Sequence, residues 1–561
     1  MGNPRIVIIG GVAAGPKAAA RARRLLPGAE ITIIEKDHYI SYAGCGMPFY
    51  VAGSVREFGL LFNTAYGVPR NEEFFLREKG VKVLTGTEAV EIDCQKKEVG
   101  IKNLTTGEQS RVPYDKLVIA TGSSPVIPKI KGIQLKGVYH LNHPLDALGI
   151  REQLQNVSSA VIIGAGLIGL EAADALQKNH IFTTMVEIKD QILPGLLDLD
   201  MAALLKIRLE EHGLEFLLGQ RVVAIEGDQE GAVTTVVTDQ QTIEADMVIV
   251  AIGVKPNVEL AKNAGLKIGQ TGAIEVDQTL QTSNPDIYAA GDCVENLHLI
   301  TGQKVYIPLA TYANRQGRVV GDNVTGRKSL FKGVLGTSAV KVLNWNIGKT
   351  GLGYQQAVDQ GYPVVTMINP AHDRTHYHPD HGLVIMKLIA DQQSGKVLGA
   401  QAIGPGEVTK RMDVVASTIH FGGTLEDLSD IDLSYAPPFS SPIDLVQHTA
   451  NSVRNKMENL APSITAEEMK AKMDQGDDFV ILDVRTAPQF KAKHIKDSRV
   501  MLVTLGDIRE RINEIPREKE MVVICAMGVR SYEALRILNG AGFKDLQFLE
   551  GGLQAWPYEI D

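Results

Sequence analysis

The chain has 561 residues and a net charge of -9, with an isoelectric point near 5.9. That balance argues against a nucleic-acid-binding surface, although local basic clusters remain suited to phosphates. The length exceeds one hydrophobic core and calls for roughly three to four domains; no apolar run reaches the roughly 18 residues of a bilayer span, and four irregularly spaced cysteines fit a reducing compartment better than a disulfide framework.

Met1-Gly2-Asn3-Pro4-Arg5 runs straight into an apolar strand, Ile6 to Ile9, leaving no room for a signal peptide, so a cytoplasmic protein is expected. Gly10-Gly11-Val12-Ala13-Ala14-Gly15 and a helix through Leu26 follow. This resembles a G-x-G-x-x-G turn, with Val12 in place of the middle glycine, whose helix N-terminus holds a pyrophosphate. Glu35, with Lys36 beside it, closes the second strand 25 residues beyond Gly10 and suits a ribose hydroxyl. On the helix, Lys17, Arg21 and Arg24 share one face, which is either a solvated basic surface or a clamp on a phosphorylated substrate.

Ser41 to Tyr50 reads S-Y-A-G-C-G-M-P-F-Y. The small residues around Cys45 let a thiol and backbone approach a flat ligand, for which a flavin is expected. Pro48 suits the first turn of a helix starting just after the cysteine, whose dipole would favour the thiolate. Tyr50 stands where a C-x4-C pair would have its second cysteine, so Cys45 must find its sulfur partner in the substrate or become sulfenic acid.

Lys116 to Pro125 reads as a strand ending in a small turn at Thr121 and Gly122. Ala160 to Ile163, Gly164-Ala165-Gly166-Leu167-Ile168-Gly169, a helix to about Lys178 and a strand ending in Glu187 then form a complete βαβ fingerprint, the acid lying 23 residues past Gly164. Glu187 would bond a ribose 2′-hydroxyl and repel a 2′-phosphate, which favours NADH over NADPH. Asp246 to Ile252 and Gly253 supply another strand and turn. Thr282 to Asp292 returns the chain to the first nucleotide fold, and in two-nucleotide flavoproteins the aspartate of such a stretch, here Asp292 after Gly291, bonds the flavin ribityl chain. Pro308-Leu309-Ala310 and Asn314 to Arg318 open a helix expected to approach the flavin ring. Cys94 and Cys293 read as packing residues.

From about Lys332 the pattern becomes strands Ser338 to Leu343, Val364 to Ile368, Leu383 to Ala390 and Val397 to Ile403, expected as an interface domain for a two-fold dimer. Its His372, His376, His378 and His381 match no standard zinc spacing, so a solvent-facing loop or substrate mouth is expected and no metal site. A polar linker runs from Asn451 to about Pro462. Beyond it, Phe479 to Arg485 and Met521 to Cys525 read as strands of a small α/β unit. Cys525-Ala526-Met527-Gly528-Val529-Arg530-Ser531 then forms an amide nest that Arg530 closes around a thiolate or persulfide, ahead of a helix from about Ser531 to Asn539.

These motifs, with Tyr435-Ala436-Pro437-Pro438-Phe439, resemble the coenzyme A disulfide reductases of the flavin disulfide-reductase superfamily, in the form fused to a C-terminal rhodanese domain. The resemblance covers nearly the whole chain. It implies an α/β protein with an FAD-binding domain at 1–150 and 256–328, an NAD-binding domain at 151–255, an α+β dimerisation domain at 329–450, a linker at 451–462 and a rhodanese domain at 463–561. It also implies NADH-dependent reduction of coenzyme A disulfide, its persulfide or polysulfide by a homodimer, without nucleic-acid or membrane partners and with coenzyme A as substrate or bound carrier. Cys45 would be the nucleophile and Ser41 a coenzyme A contact. Lys17, Arg21, Arg24 and Lys79 fall at the phosphates and Asn314 at the pantetheine arm, and Tyr377 and Tyr435 resemble two tyrosines that reach the active site from the partner subunit. Gly44 departs from the usual asparagine, Tyr377-His378-Pro379-Asp380 from Tyr-Tyr-Pro-Gly, Gln489 from a common glutamate and Lys493 from the usual glycine before His494. An NADH oxidase or peroxidase cycling through Cys45 sulfenic acid would need the same flavin and nicotinamide sites. The basic helix face, the appended sulfur-transfer unit and the absence of histidine from Gly10 to Lys17 speak against it. A redox-sensing or sulfur-delivery protein is the third reading, opposed by two complete nucleotide sites.

Overall fold

The computed structural model describes residues 3–560, so the chain start at Met1 and Gly2 lies outside the described residues. Two compact units emerge: residues up to Ile188 together with Gly219–Val334, and Lys189–Leu218 together with residues from Leu335 onward. The segment Lys189–Leu218, placed by sequence inside the second nucleotide domain, thus packs with the second unit.

In the first unit, one parallel sheet runs Ile287–Ala289, Lys116–Ile119, Arg5–Ile9, Glu30–Ile34, Lys82–Leu84. Arg5–Ile9 is central because it is apolar on both faces, as a strand covered on both sides requires. Ile6 and Ile8 are fully buried. Strand order reverses at this element, and ligands of such folds bind at that reversal. Helix Ala14–Leu25 reaches the sheet through buried Ala14, Ala18, Ala19 and Ala22, leaving Lys17 and Arg24 outward. Ile287–Ala289 pairs with Lys116–Ile119, so the chain does return to the first nucleotide fold. A second parallel group, Val138–Tyr139, Met247–Val250, Ser159–Ile163 and Phe182–Glu187, repeats the plan with Ser159–Ile163 inside it.

The second unit holds two sheets. The antiparallel one runs Ser338–Val342, Trp345–Gly351, Val397–Gly404, Leu383–Asp391, Val364–His372. Trp345–Gly351 was not among the strands expected: its Gly348, Lys349 and Gly351 give no alternating apolar signal, and pairing on both sides supplies the order instead. The parallel sheet runs Ser463–Ile464, Leu546–Leu549, Glu520–Ile524, Phe479–Asp483, Val500–Leu502. The segment expected as a linker begins inside helix Leu445–Met457, which Asp444 caps by accepting from Val446 N–H at 3.1 Å. Among the described residues no helix is long and apolar enough to cross a membrane.

Candidate active site

Cys45 is the middle residue of the turn Gly44–Gly46, and helix Met47–Val51 starts just after it with Pro48 in its first turn, as expected. Ser41 N–H donates to Gly11 O at 2.7 Å and Ala43 N–H to Leu61 O at 2.8 Å. The first bond sets the cysteine segment against the Gly10–Gly15 turn. It also holds Ser41 at φ +52, a strained left-handed conformation of the kind that persists at functional sites.

The expected preference for thiolate is corrected. Helix Met47–Val51 has five residues, too short for a full dipole. Burial, then the negative charges of Glu171 and Asp292, push the Cys45 thiol up. Although Cys45 is exposed at the surface, these effects oppose rather than favour its thiolate. Glu171, on helix Leu167–Gln177, escaped the sequence reading; its own carboxyl is raised to about 7 by burial and by Asp174.

Both glycine turns fit a dinucleotide. Gly10 and Gly164 take φ +108 and +103, and a Cβ there would lie 2.1 Å from Ala120 O and 2.6 Å from Ala251 O. The two acids close their turns alike: Gly11 N–H donates to Glu35 Oε2 at 2.6 Å and Ala165 N–H to Glu187 Oε2 at 2.8 Å. Glu35 also accepts from Asp37 N–H at 3.0 Å, and burial still raises its carboxyl. Lys36 beside it is exposed. Around Gly166 a Cβ would meet nothing, and Leu167, Ile168 and Gly169 begin the helix. Gly253, at φ +104, follows strand Met247–Val250.

Asp292 is raised by burial, and Ser123 Oγ donates to it from 3.4 Å. A half-buried carboxyl with so weak a donor fits a hydroxylated ligand chain. Two unforeseen residues shape its surroundings. Gln316 Oε1 accepts from Gly291 N–H at 2.7 Å while its Nε2 donates to Asn296 Oδ1 at 2.6 Å. Asn257 locks the Thr121-Gly122 turn, donating from Nδ2 to Thr121 O at 2.8 Å and accepting Thr121 Oγ1 on its carbonyl at 2.7 Å. Helix Ala310–Asn323 opens after Pro308 and Leu309.

The basic face is only partly available. Lys17 and Arg24 are exposed, whereas Arg21 Nε donates to Asp322 Oδ1 at 2.6 Å on helix Ala310–Asn323. Gly317 and Gly321 let the two helices touch, with Gly321 against the Arg21 side chain. Arg23, not singled out by sequence, bonds Gly80 O, and the Lys79 Nζ sits 4.7 Å over the Phe74 ring. Asn314 is exposed and donates to Ala310 O at 2.9 Å.

In the second unit, desolvation and then a hydrogen bond to Tyr377 raise the Tyr435 hydroxyl. The two tyrosines are thus brought together, both on the surface. Cys525 is buried, and Gly528 N–H donates to its Sγ at 3.1 Å from φ +102. Arg530 Nη1 donates to Gln489 Oε1 at 3.0 Å. Helix Val529–Gly540 starts two residues earlier than expected. Around His372 to His381 no set of three metal-ligating groups converges among the described residues.

Residues 4–317 match the pyridine nucleotide-disulphide oxidoreductase family, 337–445 its dimerisation domain and 465–558 the rhodanese-like domain. The chain is 43% identical to an NAD-dependent persulfide reductase from A. fulgidus, covering 98% of this chain and 100% of that one with a TM-score of 0.94. It is 35% identical to Bacillus anthracis CoADR-RHD, covering 99% and 98% with a TM-score of 0.92. An NAD(P)H coenzyme A polysulfide/persulfide reductase of Pyrococcus horikoshii is 37% identical over 438 residues, 78% of this chain and 95% of that protein.

Proposed function

The chain belongs to the pyridine nucleotide-disulphide oxidoreductase family, and from that premise we propose an FAD-dependent enzyme that uses NADH to reduce coenzyme A disulfide, coenzyme A persulfide or polysulfide. The observation that carries this reading is a lone cysteine turn bonded to the first dinucleotide cradle, in a chain that also holds a rhodanese-like sulfur loop.

When bound, FAD would supply hydride acceptance from NADH and an electron pair for sulfur. The cradle of Gly10, Gly11, Gly15, Glu35, Gly291 and Asp292 would hold it, with Thr121 and Gly122 alongside; the Gly164–Gly169 turn and Glu187 would hold NADH. Lys17, Arg24 and Lys79 take the phosphates of coenzyme A, while Arg21, committed to Asp322, fixes the helix face that presents them. Ser41 and Asn314 line the thiol arm. As thiolate, Cys45 attacks one sulfur of the substrate, the S–S bond breaks, and the second sulfur leaves as a thiolate that Tyr377 and Tyr435, expected to reach the site from the partner subunit, would hydrogen-bond or protonate. Two-electron reduction of the new Cys45 bridge would return Cys45 as thiolate and release the second thiol, or hydrosulfide when the substrate is a persulfide. Cys525 carries sulfane sulfur as a persulfide and passes it toward Cys45, directly or on coenzyme A. The enzyme works as a cytoplasmic homodimer with the domain division given above, except that helix Leu445–Met457 takes the first part of the linker.

The test is anaerobic NADH consumption by wild type and Cys45→Ser, with coenzyme A disulfide, polysulfide or hydrogen peroxide as acceptor. Sulfur-dependent oxidation in wild type that vanishes in Cys45→Ser supports the reading. Preference for peroxide would replace it with the oxidase or peroxidase.

A further inference from the structure

Tyr377 lies on the loop between strands Val364–His372 and Leu383–Asp391, and Tyr435 on the segment before helix Leu445–Met457. Both loops end on one buried ion pair. Arg411, 1% exposed on helix Thr409–His420, uses every donor of its guanidinium. Nε meets Asp444 Oδ1 at 3.2 Å and Nη2 meets Oδ2 at 2.7 Å. Nη2 also donates to the carbonyl of Asp373, and Nη1 to Glu407 O at 2.9 Å and Oε2 at 3.0 Å. Asp373 lies four residues before Tyr377 and closes that loop by accepting from Gly382 N–H at 2.9 Å and Glu407 N–H at 3.0 Å. Ser440 lies five residues after Tyr435 and donates to Asp444 Oδ2 at 2.8 Å. Between the loops, Thr375 Oγ1 donates to Pro437 O at 3.3 Å.

Replacing a buried ion pair by apolar residues is often neutral for stability, and fixing local geometry is one role such a pair can take. Here the fixed geometry is that of two loops whose tips meet at Tyr377 and Tyr435. We propose that Arg411 and Asp444 are positioning residues for the tyrosine pair in the sulfur half of the reaction, an inference that rests on those tyrosines serving the sulfur substrate. The reductive half, from NADH to an artificial dye acceptor, does not depend on them.

The test uses the full-length FAD-loaded enzyme with Arg411→Lys, Asp444→Asn, Thr375→Val, Tyr377→Phe and Tyr435→Phe. Arg411→Lys keeps the charge and loses the fork. Steady-state kcat and its pH profile with coenzyme A disulfide are read beside NADH-to-dye turnover. Coupled neighbours behave non-additively; we expect Arg411→Lys to lower disulfide kcat about tenfold, shift the alkaline limb of the profile and leave dye turnover within about twofold, yet cost less than about twofold more on the Tyr435→Phe background. Additive losses, or an equal fall in dye turnover, overturn the proposal. If the tyrosine variants are impaired and Arg411→Lys is not, the proposal alone fails. If both tyrosine variants are silent, the reading beneath it fails as well. Should Arg411→Lys not fold, Thr375→Val, which removes one hydroxyl between the loops, must show the same non-additivity.

Discussion

Lys456 Nζ lies 2.6 Å from Glu550 Oε1, joining helix Leu445–Met457 to the turn that backs the Cys525 loop. Glu550 also accepts from Ser463 Oγ at 2.7 Å and from Ile368 N–H at 3.3 Å. A few residues on, Leu553 N–H donates to Cys525 O at 2.9 Å and Gln554 N–H to Ala526 O at 3.0 Å. The rhodanese-like part is therefore fixed to the antiparallel sheet by a buried charge, and its sulfur loop rests on the same turn.

Glu550→Gln should loosen that attachment. A buried acceptor loses its charge while Lys456 stays in place, which costs about 1–3 kcal/mol, discounted because Lys456 is partly solvated. In thermal scans the rhodanese-like part should melt ahead of the rest, and trypsin should cut at Lys456 or nearby. A single transition at the wild-type temperature would refute this.

Glu171→Gln should act on Cys45 and on stability. The negative charge of Glu171 contributes to holding the Cys45 thiol up, so its removal lowers the midpoint of the pH-rate profile for iodoacetamide alkylation and speeds the reaction severalfold near neutrality. For stability the sign follows from linkage. Glu171 keeps its proton to about pH 7 when folded but loses it near pH 4.5 when unfolded, so the unfolded chain binds fewer protons between these values. Stability falls as pH rises through that window, and the fall should be smaller in the variant's urea midpoints.

Gly44→Asn installs the asparagine that the family resemblance implies at this position. A Cβ at Gly44 meets nothing within 4 Å, so the side chain enters open space and the fold should be unaffected. One added polar contact is worth about 0.5–1.5 kcal/mol, so KM for coenzyme A disulfide should fall roughly two- to tenfold while polysulfide turnover stays constant. An unchanged KM with intact folding would separate position 44 from substrate binding.

What could be read from sequence was set by local backbone demands. Gly10 and Gly164 announce their turns because no other residue fits beside the neighbouring carbonyls, and Cys45 stood out through the small residues around it. Asn257 left no such mark, and Arg21, visible as part of the basic helix face, gave no sign of its partner. Their roles depend on Thr121, 136 positions away, and on Asp322, 301 positions away, and no local period encodes pairings of that span. The polar stretch after Asn451 read as a linker because a helix with one wet face resembles loop composition. Glu171 was hidden in the opposite way, as one acid in a helix whose other signals all pointed to nucleotide binding.

The sulfur relay makes the last prediction. Cys525 is 2% exposed, and Gly528 N–H, held by a positive φ that other residues rarely adopt, points at its sulfur. That amide stabilises a thiolate or a persulfide but offers nothing to a coenzyme A disulfide, which contains no sulfane sulfur to transfer. Cys525→Ser keeps the shape of the loop and cannot hold a persulfide, so turnover with coenzyme A disulfide should stay within about twofold of wild type, a change too small to count as lost transition-state binding. With polysulfide or thiosulfate as donor, loss of the carrier removes a covalent step rather than a contact, and kcat/KM should fall at least about tenfold. Equal turnover of Cys525→Ser and wild type with every sulfane donor would show that Cys45 receives its sulfur without Cys525.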